Sequence, residues 1–206
     1  PTTSNPPPSR PTDAGYGRVP MGTNTKFEIR GVNHIALVCA DMARTVRFYR
    51  DVLGMALVKT IDLPGGLGQH FFFDIGNDDH LAFFWFENAQ SAQPGVSHAP
   101  VLPDRGDITS AHASMNHLAF DVPLERFEEY RQRLIDEGIE VSAVLDHDES
   151  EYGVARELHP GVFVRSFYFR DPDGILLEFA SWTRELGRAD DVAVLPVDAS
   201  GTHVPV

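Results

Sequence analysis

The sequence contains very little cysteine and no long apolar segment, and both features limit what the protein can be. Cys39 is the single cysteine in 206 residues, so no disulfide can form within the chain, and a reducing compartment is expected. No apolar run approaches the roughly 18 to 20 residues of a membrane-spanning helix, and the proline-rich start lacks the apolar segment of a signal peptide. The sequence therefore predicts a cytoplasmic protein without a membrane partner.

Positive charge is also scarce. Lysine and arginine number 17 against 30 aspartates and glutamates, which gives a formal net charge of −13. Such a chain repels nucleic acid and anionic lipid, so neither is an expected partner. No glycine-rich phosphate loop, nucleophile elbow or Cys-x-x-Cys pair occurs, so those three chemistries are not indicated.

An internal repeat occupies most of the chain. "VNHIALVCADMARTVRFYRDVLGM" begins at Val32, and "MNHLAFDVPLERFEEYRQRLIDEGI" begins at Met115. Each copy opens with Asn-His and an apolar strand of period two, and continues into an amphipathic helix. Each predicted helix ends at a glycine, Gly54 or Gly138, which is a common helix stop.

The two copies also end alike. "HFFFDIGNDDHLAFFWF" (70–86) and "VRSFYFRDPDGILLEF" (164–179) both read as a strand, a polar turn and a second strand. Two copies of βαβββ are therefore expected, which is an α+β fold. The predicted parts are a flexible proline-rich arm at 1–26, a single domain at 27–184 with module one at 30–93 and module two at 112–182, and a tail at 185–206.

Glu178 stands in an apolar strand, where a buried carboxylate without a partner is costly. The repeat places His34 and His117 on equivalent first strands and aligns Phe84 with Glu178. Two imidazoles and one carboxylate form the facial triad of non-haem Fe(II) oxygenases, and an apolar fourth position leaves coordination sites open. The sequence thus predicts a metal site of His34, His117 and Glu178. For each histidine alone, a hydrogen-bonded core position is the alternative.

The paired units with "NHIAL", "NHLAF" and "DPDG…LLEF" resemble the vicinal oxygen chelate superfamily, which includes glyoxalase I, bleomycin-resistance proteins and type I extradiol dioxygenases. The resemblance covers about residues 30–182. It implies that the two modules form an open, barrel-like sheet around a metal site. Because this superfamily hosts several chemistries, the fold is implied more firmly than the reaction.

"SFYFRDPDGILLEF" is similar to the extradiol signature, since Tyr168 stands ten residues before Glu178 and His159 stands nine residues before Tyr168. The resemblance implies that Tyr168 hydrogen-bonds a metal-bound substrate oxygen and that His159 stabilises a charged oxygen. A half-buried strand aromatic and an ordinary loop residue are the alternatives for these two.

The chain departs from the extradiol pattern at the acid–base histidine, whose place is taken by Leu102. His98 and His112 flank that position, and His98 is the preferred candidate because His112 is close to the predicted ligand His117. His147, in an acidic run, is expected to be exposed. The chain also lacks a second pair of modules, so it resembles the compact members.

These observations favour an Fe(II) extradiol-type dioxygenase that cleaves a small catechol-like aromatic with O2, with Mn(II), Ni(II) or Zn(II) as alternative metals. One alternative function is a glyoxalase-type isomerase, lyase or epimerase that uses a divalent metal. Another is a resistance-type protein that binds a small molecule without chemistry. A homodimer is expected, since proteins of this fold often dimerise.

Overall fold

The structure is a computed structural model that describes residues 26–187 and 190–205. The chain divides into two units. The larger unit is Arg30–Leu186, and the smaller one combines Pro1–Ile29 with Gly187–Val206. The modules and the proposed site belong to the larger unit.

The described part of the smaller unit contains a short 3-10 turn, Asp190–Val192, and a bridge between Val197 and His203. The predicted arm at 1–26 lies outside the described residues except for its last residue. The boundaries of the arm, modules and tail stay predictions. No helix among the described residues is long and apolar enough to cross a membrane.

The first module forms a four-stranded sheet with the order β1-β4-β3-β2, in which β1 and β4 run parallel and the other neighbours antiparallel. Its elements are β1 His34–Cys39, α1 Met42–Val46 with a π-helical continuation Arg47–Val52, β2 Ala56–Asp62, a 3-10 turn Pro64–Gly66, β3 Gln69–Gly76 and β4 Asp79–Trp85.

The second module forms a separate sheet with the order β5-β9-β8-β6-β7, in which β5 and β9 run parallel. Its elements are β5 Leu118–Asp121, a 3-10 turn Leu124–Arg126, α2 Phe127–Asp136, β6 Leu145–His147, β7 Val154–Ala155, β8 Val164–Arg170 and β9 Leu176–Trp182. The predicted α+β class is confirmed. Within the described residues the sheets have four and five strands and do not close into a barrel.

Local chemistry explains where the helices begin and end. The carboxylate of Asp41 accepts a hydrogen bond from the Arg44 amide at 3.0 Å and caps α1. Gly54 and Gly138 follow the two helical segments with φ of 75° and 77°, which side chains rarely adopt. The two glycine stops predicted from the sequence are confirmed.

One face of each sheet packs with the helices into a shared apolar core. Along β1, Ile35, Leu37 and Cys39 point to this core, while the alternating residues His34 and Ala36 are exposed. Strand β5 repeats the pattern, with its inward residues packed in the core. The predicted ligands on the two first strands therefore lie on the faces opposite the core, which we call the outer faces.

The strand register corrects one part of the repeat alignment. Ala119, two residues after His117, pairs with Glu178, whereas Ala36, two residues after His34, pairs with Ala82. The structural counterpart of Glu178 is therefore Ala82, and the alignment with Phe84 was wrong by two residues. The turns differ in length, because Gly76 pairs with Asp79 in one module and Arg170 with Leu176 in the other.

The turn between β8 and β9 ties the modules together. Asp173 accepts hydrogen bonds from the Ala40 amide at 3.2 Å and from Arg44 at 2.5 Å. The carboxylate of Asp171 accepts a hydrogen bond from the hydroxyl of the buried Tyr49 at 3.2 Å. The sequence "DPDG" thus has a structural role in addition to forming a turn.

Candidate metal centre

Two of the three predicted ligands lie side by side on the outer face of the second sheet. Nε2 of His117 is 3.0 Å from Oε2 of Glu178. The histidine directly precedes β5 and the glutamate lies in β9, and these strands are paired in parallel. The parallel pairing therefore joins two residues that are 61 positions apart in the sequence.

Glu178 is 5% exposed and is held by hydrogen bonds from two neighbours. The hydroxyl of Ser166 donates to its Oε1, and His117 contacts its Oε2. Burial by itself raises the pKa of this carboxyl, but the hydrogen bonds from His117 and Ser166 outweigh it, so the pKa lies below the ordinary value. Glu178 is therefore a carboxylate at neutral pH, as a metal ligand must be.

Asn116 sets the orientation of the His117 ring. Its amide nitrogen donates to the Ile108 carbonyl at 2.7 Å, so its Oδ1 faces Nδ1 of His117 at 2.9 Å. An amide oxygen only accepts, hence Nδ1 donates to Asn116, and Nε2 is directed at Glu178, to which it donates when it is protonated and beside which it is a free donor atom for a cation when it is not. In the first module, Asn33 Oδ1 lies 2.8 Å from Nδ1 of His34 in the same arrangement.

The geometry of this pair fits a divalent cation. Two donor atoms bound about 2.1 Å from an octahedral ion, at a right angle, are about 3.0 Å apart. The observed separation of Nε2 of His117 and Oε2 of Glu178 is 3.0 Å. An ionised, buried carboxylate beside an imidazole whose Nε2 is directed toward it is a donor set for such an ion.

Tyr168 lies directly across the strand pair from Glu178, and its ring contacts that of His117 edge-on at 5.7 Å. Burial raises the pKa of Tyr168, and the charge of Glu178 raises it further. The phenol therefore stays protonated and can donate a hydrogen bond.

His147 is a residue that the sequence interpretation missed. It lies in β6, is half-buried, and its Nε2 is 3.3 Å from the hydroxyl of Tyr168. The expectation that it is exposed was wrong, because β6 pairs with β8 and turns His147 toward the same face as Tyr168. The acidic residues next to His147 in the sequence are typical of a solvated loop, and for that reason the strand was not predicted.

His34 lies elsewhere, on the outer face of the first sheet. Its ring meets Phe72 edge-on at 5.6 Å, and it lines a cavity of about 400 Å³ with Asn33, Val58, Lys59, Phe72 and His80. Among the described residues, no group of three or more His, Cys, Asp or Glu side chains is arranged to hold a metal ion. A single chain therefore brings together His117 and Glu178 but does not add His34.

The linker between the modules packs beside Tyr168. Leu102 is buried and belongs to a small apolar cluster with Ala99, Tyr168 and Leu176. His98 is also buried, with Nδ1 2.8 Å from the Ala99 carbonyl and 3.3 Å from an Arg170 nitrogen. Leu102, which stands where extradiol enzymes have their acid–base histidine, therefore presents an apolar side chain to Tyr168. His98 instead contacts Arg170.

His159 is exposed, and both of its ring nitrogens contact other residues. Nδ1 accepts a hydrogen bond from the Gly161 amide at 3.0 Å, and Nε2 lies 3.2 Å from Asp148. Nε2 is therefore the nitrogen that donates to Asp148. The role predicted for His159 at a substrate oxygen stays a prediction.

Comparisons with known proteins agree with this architecture. The chain is 26% identical over 156 residues to the metallothiol transferase FosB of Shouchella clausii (strain KSM-K16), covering 75% of this chain and 82% of that protein. Among solved structures, SMU.1112c matches with a TM-score of 0.51 at 26% identity, covering 74% of this chain and 99% of the other.

A glyoxalase family protein from Enterococcus faecalis has the same fold, with a TM-score of 0.52 at 22% identity over 73% of this chain and 97% of its own. The model of the Glyoxalase/Bleomycin resistance protein/Dioxygenase superfamily matches residues 31–179. That span contains the predicted ligands and both modules except for their terminal residues. The chain therefore belongs to this superfamily, the one that its Asn-His repeats and its DPDG turn resemble.

Proposed function

We propose that the protein is an enzyme that uses a divalent metal ion held by His34, His117 and Glu178 to activate a small substrate through its oxygen atoms. The observation that carries this proposal is the pair formed by His117 and the ionised, buried Glu178, 3.0 Å apart. When bound, the cation acts as a Lewis acid at substrate oxygen. A cytoplasmic location is part of the same proposal and rests on the single, buried Cys39.

The third ligand comes, in this proposal, from a second copy of the chain. His34 and His117 both lie on outer faces, exposed and oriented away from the shared core. A homodimer in which the first sheet of one copy covers the second sheet of the other would bring His34 to the partner's Glu178. It would also bury the exposed apolar residues beside His34, such as Val38 and Val58.

Mixing two inactive variants tests this arrangement. His34→Ala and Glu178→Gln each break every site in their own homodimer. A mixed dimer contains one site with both changes and one intact site. We expect each variant alone to lose tight Mn(II) binding, and the mixture, after unfolding and refolding together, to regain about a quarter of the wild-type sites.

No recovery in the mixture, with both variants folded and dimeric, would overturn the shared site. Tight metal binding by Glu178→Gln alone would overturn the metal proposal itself. Wild-type protein treated by the same unfolding and refolding is the control for yield.

The side chains around Glu178 then act on the substrate. Tyr168, protonated and opposite Glu178, donates a hydrogen bond to a substrate oxygen near the metal. His147, 3.3 Å from the Tyr168 hydroxyl, orients that phenol. The apolar cluster of Leu102, Ala99 and Leu176 excludes water from one side of Tyr168.

The reaction that we propose first is addition or transfer of a nucleophile, such as a thiol, to a metal-bound small molecule. It is supported by the similarity to a metallothiol transferase over 82% of that protein. The apolar Leu102 at the position of the extradiol acid–base histidine also favours chemistry that does not need that residue.

Ring cleavage of a catechol with Fe(II) and O2 is the second candidate. The observation in its favour is the aromatic outer face of the first sheet, where His70 stacks on Phe72 at 4.3 Å and Phe84 stacks on Phe86 at 5.2 Å. Flat aromatic molecules pack well against such rings.

Two assays on metal-loaded protein separate the candidates. Oxygen uptake with a panel of catechols, on Fe(II)-loaded protein prepared without air, reports ring cleavage. Loss of free thiol in the presence of small epoxides and unsaturated carbonyls, on Mn(II)-loaded protein, reports transfer. We expect thiol loss that disappears in Glu178→Gln; catechol-dependent oxygen uptake without thiol loss would reverse the order of the candidates.

A further inference from the structure

Lysine is rare in this chain, and one of its two lysines lies beside a predicted metal ligand. Lys26 and Lys59 are the only lysines among the 206 residues. Lys59 lines the cavity of about 400 Å³ on the outer face of the first sheet, together with His34, Phe72 and His80. A strand-borne ammonium group therefore faces the same space as the imidazole of His34.

An irregularity in β2 places Lys59 on this face. Leu57 pairs with Phe73 of the core, whereas Lys59 pairs with Phe72, so Val58 is an extra residue in the ladder. In a regular strand Lys59 would lie on the same face as Leu57, against the core, since side chains alternate. The bulge reverses the alternation and turns Lys59 outward, and bulges of this kind re-aim side chains next to active sites.

The ammonium group of Lys59 makes no hydrogen bond or ion pair with any other described residue. This is notable in a chain with a net charge of −13, where carboxylates are abundant. A protein of that charge repels small anions in general, so an anionic ligand needs a local cation at its site. Lys59 supplies three donors and a positive charge at the rim of the cavity.

We propose that Lys59 binds an acidic group of the substrate and determines specificity for it. The substrate class is then a small anion, such as a carboxylate, that also offers oxygen atoms to the metal. This inference rests on the proposed function, because it places the second attachment point of a substrate whose first is the metal. It assigns the first module a role in recognition beyond supplying His34.

The test compares two metal-binding molecules that differ in one acidic group. Binding of 3,4-dihydroxybenzoate and of 4-methylcatechol is measured by calorimetry under nitrogen, on wild-type protein of known Mn(II) content. We expect wild type to prefer the carboxylated molecule about tenfold, as one charge-assisted hydrogen bond allows. The preference should weaken as salt is raised, because ions screen the charge.

Three variants make the result specific. Lys59→Met keeps the length of the side chain and should abolish the preference while leaving the affinity for 4-methylcatechol unchanged. Lys59→Arg keeps the charge and should retain part of the preference. Lys26→Met removes the chain's other lysine, in the smaller unit, and should behave as wild type.

The possible failures are distinguishable. The role of Lys59 would be overturned if wild-type protein bound Mn(II) but bound 3,4-dihydroxybenzoate and 4-methylcatechol with equal affinity. It would also be overturned if Lys59→Met kept the preference for the carboxylated molecule. Wild type without Mn(II) would overturn the proposed function, and the ratio of the two affinities on that metal-free protein would still decide for or against Lys59.

Discussion

Asn33 and Asn116 occupy the same place in the two repeats and hold Nδ1 of the following histidine, at 2.8 Å and 2.9 Å. Residues that orient a ligand through its second nitrogen stabilise metal binding although they do not touch the metal. In the proposed site, each Asn-His pair is thus a metal ligand together with its orienting group. The repeated spacing was visible from the sequence, but the hydrogen bond that explains it was not.

Replacing either asparagine by alanine should weaken metal binding. We expect Asn116→Ala and Asn33→Ala to lower the Mn(II) affinity about 10- to 100-fold, because each ring loses the acceptor that fixes its tautomer. Equilibrium titration monitored by electron paramagnetic resonance measures free Mn(II) directly. Gln132→Ala removes an exposed amide from α2 and should leave the affinity unchanged; an Asn116→Ala protein with wild-type affinity would contradict the orienting role.

At the scale of elements, the connection from β2 to β3 depends on a close backbone approach. Gly68 has a φ of 141°, and a Cβ atom there would stand 1.9 Å from the carbonyl oxygen of Trp85. Trp85 is itself held by a hydrogen bond from its indole to the Ala40 carbonyl at 3.2 Å. Only glycine fits at position 68, since both the backbone conformation and the available space exclude a side chain.

Two alanine substitutions in the connection from β2 to β3 distinguish the cost of a steric clash from the cost of a left-handed backbone conformation. Gly68→Ala should lower the free energy of unfolding by about 3 kcal/mol or more, because the added methyl group forces the backbone of β4 to move. Gly66→Ala, at a φ of 72° with open space around it, should cost only about 1 kcal/mol. Urea unfolding measures both, and equal losses would show that the contact with Trp85 does not matter.

At the scale of elements, the strand register also determines which residues lie on the outer faces. The bulge at Val58 turns Lys59 outward. The parallel pairing of β1 with β4 places Ala82, and not Phe84, opposite Ala36. Neither feature has a clear sequence signal, because a bulge leaves the apolar pattern of β2 almost unchanged. Except for β6 and β7, the existence of the strands was predictable from periodicity, whereas the face of each side chain depended on the pairing.

At the scale of the whole molecule, the modules meet at a buried carboxyl group. Burial raises the pKa of Asp171 from 3.8 to about 6, and hydrogen bonds from the Ile175 and Asp173 amides and from Tyr49 offset only part of this. The folded protein thus holds a proton at Asp171 at pH values where the unfolded chain has released it. Because the folded pKa is raised, this group makes the protein less stable as pH rises from about 4 to 6.

Asp171→Asn should remove that pH dependence. An asparagine keeps the acceptor for the two amides and offers Tyr49 a donor, with no charge to bury. We expect the variant and wild type to be similarly stable at pH 4, and the variant to gain up to about 3 kcal/mol relative to wild type above pH 7, as the raised pKa implies. Thermal or urea unfolding across this pH range is the measurement, and a constant difference at all pH values would contradict the assignment. Asp51→Asn, which changes an exposed carboxylate, is the control.

Apart from the additional strand after α2, the sequence by itself determined the repeated βαβββ units, the glycine stops of the helical segments and the proximity of His117 to Glu178, the proposed half-site. These follow from local periodicity and from the pairing of neighbouring strands within one module. Only the tertiary structure decided that His34 lies apart from that half-site and that His147 contacts Tyr168. The physical reason is that the shared core uses the helix-covered faces of both sheets, which directs the predicted ligands outward, and no local pattern records which faces pack together.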